Sequence, residues 1–168
     1  MHLITLLLNA PRRLYLALSV SSLGMLAFGV FYLQGALGLQ PCPMCIVQRE
    51  ALILLAVFSA LAAVFRRGGW QFTFGSLALI SAALGAFTGG RQSWLQWNPP
   101  EFSVCGRDLY GMIESMPLGR LLPSIFRGGG DCTAVEWTLL GGTIANWSFL
   151  WFAFSICLTL TLLLRRPG

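Results

Sequence analysis

The sequence predicts an all-α membrane protein, a four-transmembrane-helix bundle, and three observations carry that expectation. Hydrophobic residues make up 56% of the chain against 10% charged, with a mean hydropathy of +0.72, values unsuited to a water-soluble globule. Four stretches are apolar and long enough, at about 1.5 Å per residue, to cross a hydrocarbon core of about 30 Å. All 11 basic residues are arginines, and they gather at the ends of those stretches rather than along one face. That placement speaks for membrane topology and against nucleic-acid binding.

The first span is assigned to residues 14–33, which carry no charge. The second is uncharged only over 51–65, and it reaches spanning length if the helix begins near Cys45 and carries Gln48, Arg49 and Glu50 in its first turns; it is assigned to 45–65. The third is assigned to 71–90. In the fourth, Gly141, Gly142 and Asn146 weaken the start, so 144–164 is preferred. Loops then cover 34–44 and 91–138, and the whole chain, 1–168, reads as a single domain.

Arg12 and Arg13, Arg66 and Arg67, and Arg165 and Arg166 fall on one side of this arrangement. The positive-inside rule makes that side the cytoplasm, with both termini cytoplasmic and both long loops outside. Trp94, Trp97, Trp137 and Trp147 flank the outer ends of the spans as an aromatic belt, and Trp70 marks the inner interface. The N-terminal apolar run exceeds a signal-peptide core and ends in no small-x-small site, so it is read as a retained helix.

This topology puts Cys42, Cys45, Cys105 and Cys132 on the outer side, where an oxidising compartment lets disulfides form and persist. Cys157 falls mid-membrane, and its expected role is that of a small apolar side chain packed among helices. Zinc is disfavoured: structural sites pair closely spaced ligands, whereas 26 residues separate Cys105 from Cys132 and neither outer loop holds a histidine. Static structural disulfides and redox exchange both stay open on spacing alone.

The segment Pro41-Cys42-Pro43-Met44-Cys45 favours exchange. Proline at the first helical position would start the second helix at Pro43 and place Cys45 in its first turn. Free backbone N–H groups and the positive end of the helix dipole stabilise a thiolate there. Arg49, four residues on, shares a helix face with Cys45. An arginine near a helix N-terminus opposes the dipole, and one at the outer boundary runs against the positive-inside bias. Its stem could snorkel or its charge pair with Glu50, but the functional reading is that it stabilises a Cys45 thiolate or the anion of a reduced acceptor. In the second outer loop, Leu118, Leu121, Leu122 and Ile125 follow helical spacing broken by Pro117 and Pro123, and Gly128 to Gly130 give Cys132 a flexible approach.

Taken together, Pro-Cys-Pro-Met-Cys-Ile-Val-Gln-Arg at 41–49, Trp-Leu-Gln-Trp-Asn-Pro ahead of Cys105 and Phe-Arg-Gly-Gly-Gly-Asp-Cys ending at Cys132 resemble the DsbB family of bacterial inner-membrane thiol oxidases. The resemblance implies localisation in the bacterial inner membrane with the active cysteines facing the periplasm. It implies disulfide bond formation, with reoxidation of a DsbA-like periplasmic thioredoxin-fold partner and transfer of the electrons to a membrane quinone, ubiquinone or menaquinone. It also implies the roles: Cys105 and Cys132 exchange with the partner, Cys42 and Cys45 pass the electrons on, and Arg49 attends Cys45. Many members of that family carry a histidine near the outer end of the third span where this chain has Gln92. A quinone site is therefore expected to use Cys45, Arg49, Gln92 and Arg91, with Gln92 able to hydrogen-bond but not to deliver a proton as an imidazolium would. The competing class is a non-catalytic membrane scaffold stapled by structural loop disulfides, which would resist exchange with a dithiol. A reductase resembling the vitamin K epoxide reductases would place its Cys-x-x-Cys pair later in the chain.

Overall fold

The computed structural model describes residues 11–65, 68–99 and 133–164. Four helices long and apolar enough to cross a membrane pack as a bundle. Helix α1 runs Pro11–Ala27 and continues without a break as a π-helical segment, Phe28–Ala36; α2 is Pro43–Val64, α3 is Gly68–Trp97 and α4 is Ile144–Leu164. Helix α2 packs between α1 and α3, and α3 packs between α2 and α4, while α1 and α4 meet only marginally.

Two of these helices end elsewhere than the sequence predicted. The first extends to Ala36 because the chain widens into a π-helix, in which each carbonyl waits one residue longer for its N–H. The third extends through Arg91 to Trp97, so the loop predicted from residue 91 begins only after that helix. Polar residues suggested a loop there, but they alternate by face: Gln92 and Ser93 are buried while Arg91, Trp94 and Trp97 are exposed.

The middle of the bundle closes by shape. Leu18 of α1, Ala51, Leu52 and Leu55 of α2, Ala78, Ala82 and Ala86 of α3 and Phe152 of α4 form one buried cluster. Small residues on α3 let the helices approach: a Cβ at Gly85 would overlap the ring of Phe152, and one at Gly89 would press on the backbone of Phe149 at 3.2 Å. Ser19, Ser22, Ser59, Ser155 and Thr159 are buried among these contacts, with Ser155 Oγ donating to the Trp151 carbonyl of its own helix. Large side chains such as Val20, Val57, Ile80, Leu84 and Phe154 are exposed on the outer surface, where hydrocarbon would cover them. Cys157 lies on that same outer surface, which corrects the expectation that it packs between helices.

Before α4 the chain makes a short antiparallel hairpin, Thr138–Leu139 against Gly142–Thr143. Its two turn residues, Leu140 and Gly141, both have positive φ, 52° and 79°, the type I′ geometry that matches the strand twist. Glycine suits that conformation; leucine does not, which is why no turn was legible in the sequence.

Candidate functional site

At the end of the bundle opposite Arg12 and Arg13, the start of α2 brings Cys42 and Cys45 together. Pro43 is the first helical residue, and Cys42 is its N-cap in extended conformation, φ −76° and ψ 161°. That backbone turns the Cys42 sulfur over the helix end, where it accepts the Cys45 N–H at 3.2 Å. The two sulfurs stand 2.7 Å apart, so bond formation between them asks for little movement. The sequence assigned the helix-end stabilisation to Cys45, whereas the backbone N–H is given to Cys42. Cys42 is buried and Cys45 half-buried.

Arg49 comes from the next turn of α2, and its guanidinium points across to the π-helical segment. Nη1 donates to Gln34 Oε1 at 2.8 Å and Nη2 to the Gly29 carbonyl at 3.5 Å. Both cysteine sulfurs lie within coulombic range of its charge. One carboxylate oxygen of the neighbouring Glu50 is buried with no hydrogen-bond partner among the described residues.

Gln92 enters from α3 with 4% of its surface exposed. Its Nε2 donates to Cys42 Sγ at 3.3 Å and to Cys45 Sγ at 3.4 Å. Its Oε1 accepts Gln48 Nε2 at 2.6 Å and lies 3.8 Å from the Cys45 sulfur, a thiol's donor distance. The Gln92 amide thus reaches both sulfurs, and the same residue lines the cavity described next. Arg91, expected in one site with Gln92, is exposed and is not among the residues around that cavity. Sequence reasoning passed over Gln48 as a site residue, although it falls three residues after Cys45 and hence on the same helix face.

These side chains open onto a cavity of about 320 Å³ between α1, the start of α2, the end of α3 and the segment leading into α4. Met25, Leu26, Phe28, Leu33 and Leu52 give it apolar walls, and Cys42, Cys45, Gln34, Gln48, Arg49 and Gln92 supply polar groups at one end. Ala134 to Trp137 close another side, held in place by Gln96, whose Nε2 donates to the Ala134 carbonyl at 3.3 Å and whose Oε1 accepts Thr143 Oγ1 at 2.7 Å. An apolar cleft with a few convergent polar groups is the form expected of a small-molecule site. Cys105 and Cys132, the surface segment with Leu118 to Ile125 and the Gly128 to Gly130 run lie outside the described residues.

Comparison with known proteins gives a consistent answer. The sequence model of the family described as "Disulfide bond formation protein DsbB" matches residues 11–162. Among curated proteins, a disulfide bond formation protein B of Acidovorax sp. (strain JS42) is 59% identical over 157 residues, covering 94% of this chain and 90% of that protein. The protein of the same name from Paracidovorax citrulli (strain AAC00-1) is 56% identical, again over 94% and 90% of the two chains. One from Aromatoleum aromaticum is 41% identical over 95% of this chain and 96% of its own.

Proposed function

Since the chain belongs to the DsbB family, whose members generate disulfides within the membrane, we propose that it reoxidises a DsbA-like dithiol partner in the periplasm and passes the electrons to a membrane quinone. Disulfide bond formation is the activity of the family. The observation that carries the finer reading is the Cys42–Cys45 pair, 2.7 Å apart at a helix N-terminus and open to an apolar cavity that also receives Arg49.

The relay conserves sulfur and electrons at each step. A partner thiolate attacks Cys105 of a Cys105–Cys132 disulfide; the partner's second thiol closes its own disulfide and leaves Cys105 and Cys132 reduced. The Cys132 thiolate then attacks Cys42 of a Cys42–Cys45 disulfide and releases Cys45 as the thiolate. Cys105 displaces Cys42 from the mixed disulfide, so Cys105–Cys132 is restored and two electrons reside on the Cys42–Cys45 pair. Gln92 Nε2 and the Arg49 charge stabilise the anionic sulfur while it exists.

The cavity's donor set fits a quinone: Arg49 and Gln92 would face its carbonyl oxygens, and the apolar walls its ring and tail. Such a molecule accepts two electrons and two protons as the Cys42–Cys45 bond re-forms. A lipophilic acceptor also accounts for chemistry placed at a membrane boundary, because it diffuses within the bilayer. The orientation that the arginine clusters predict, with this end of the bundle in the periplasm, belongs to the same proposal.

The test is turnover of purified protein with quinone and a reduced thioredoxin-fold partner, followed by quinone absorbance. Cys45→Ser and Cys105→Ser are both expected to abolish it. Cys105→Ser should still pass electrons to quinone from a small dithiol that reduces Cys42–Cys45 directly. Unchanged turnover in either variant contradicts the relay.

A further inference from the structure

The Gln92 side chain presents a donor and an acceptor, and only one orientation is useful to an electron-rich sulfur. With Nε2 toward Cys42 and Cys45 it offers N–H groups to a thiolate; turned over, it would offer a carbonyl oxygen and repel one. Nothing in Gln92 itself fixes that choice. Its partner bears on it: while Gln48 Nε2 donates to Gln92 Oε1 at 2.6 Å, the Gln92 amide keeps its N–H groups on the side of the sulfurs. Both side chains have only 4% of their surface exposed, so solvent cannot replace one partner for the other.

We propose that Gln48 is a positioning residue of the thiol–disulfide site, holding Gln92 Oε1 so that Gln92 Nε2 stays turned toward Cys42 and Cys45 and favours the reduced pair. The inference rests on the redox reading above and adds a residue to it. The arrangement joins α2 to α3 through neutral amides, so it carries no titrating group of its own. Among the described residues, the charged side chains around the cavity are Arg49 and Glu136, and neither is part of the amide pair. When Cys45 is a thiol, Gln92 Oε1 at 3.8 Å can accept from it, and when the sulfur is ionised Nε2 is already in place. The two protonation states of the reduced sulfur therefore use the same side-chain position, and no reorganisation is needed between them.

The test measures the equilibrium between the Cys42–Cys45 disulfide and its dithiol in the full chain against a reference dithiol buffer, with neither quinone nor protein partner present. Gln48→Met keeps length and loses the donor; it is expected to move the equilibrium toward the disulfide about tenfold, or about 30 mV for a two-electron couple. Gln48→Glu should move it at least as far, because a carboxylate accepts from Gln92 Nε2 and turns the oxygen toward the sulfurs. Gln92→Met should have an effect of its own, and adding Gln48→Met to it should change nothing further, since Gln48 acts through Gln92. An equilibrium within twofold of the parent in both Gln48 variants overturns the proposal, and so does a Gln48→Met effect that persists undiminished in the Gln92→Met background. If Gln48→Met does not fold, Gln48→Glu and Gln92→Met still decide it. Loss of quinone turnover with these equilibria as expected would sink the relay and leave the positioning role intact.

Discussion

The middle of the bundle and its cysteine end are held together by different forces. In the middle, α2, α3 and α4 meet through alanine, glycine and one large ring, and the fit of Phe152 over Gly85 leaves no space for a further carbon. At the cysteine end the helices are joined by polar side chains: Arg49 to Gln34 and Gly29, Gln48 to Gln92, and Gln92 to both sulfurs. Hydrocarbon offers no hydrophobic drive for helix association, so packing must close the middle, while the end can commit its polar groups to chemistry. The lesson is that damage in the two regions should read out differently, as lost fold in one and lost turnover in the other.

The sharpest break is expected at Gly85. Gly85→Leu drives a side chain into Phe152, and overpacking costs about 1–3 kcal/mol or more, a loss that should appear as a clearly lowered melting temperature. Gly24→Ala is the matched control, for a Cβ there meets nothing within 4 Å, and thermal stability should hold or rise. If both variants behave alike, close approach on α3 is not what closes the bundle.

At the cysteine end, Arg49→Met removes a cation that reaches the π-helical segment and acts on both sulfurs. Quinone-dependent turnover should fall roughly ten- to a hundredfold, the scale of a hydrogen bond to a charged group, with the melting temperature little changed. A variant that loses its fold along with its activity would blur the contrast between the regions. Gln34→Met should have a smaller effect, roughly threefold to tenfold in turnover, because Arg49 keeps the Gly29 carbonyl as a partner. The smallest effect belongs to Cys157→Ser: on the outer surface of α4 it should leave turnover and melting unchanged, and Cys157 should react with a lipophilic maleimide in the folded protein. Protection from that reagent would return Cys157 to the interior.

The sequence made the four spans legible because an uncharged run of spanning length has few other meanings, and it made the Cys42 and Cys45 helix end legible because proline at the first helical position is a local signal. What stayed hidden depends on partners distant in the chain. Gln34 lies 15 residues from Arg49, and Gln92 lies 44 from Gln48, separations at which no periodicity informs. The continuation of α3 to Trp97 was masked by polar residues that turn inward to the sulfurs and to Gln96's contacts. The π-helical segment and the leucine at positive φ in the Leu140–Gly141 turn both run against local preference. The orientation of the bundle, and the parts that Cys105 and Cys132 play, rest on the family and on the arginine pattern.

The central claim is that Cys42 and Cys45 form a working redox couple and not a static staple. Rapid thiol trapping with mass spectrometry, on protein mixed with a reduced thioredoxin-fold partner, reads the state of that pair directly. The account expects it to become reduced within seconds when quinone is withheld and to return to the disulfide once quinone is added. A pair that keeps one state throughout, whatever partner and quinone are present, would contradict it.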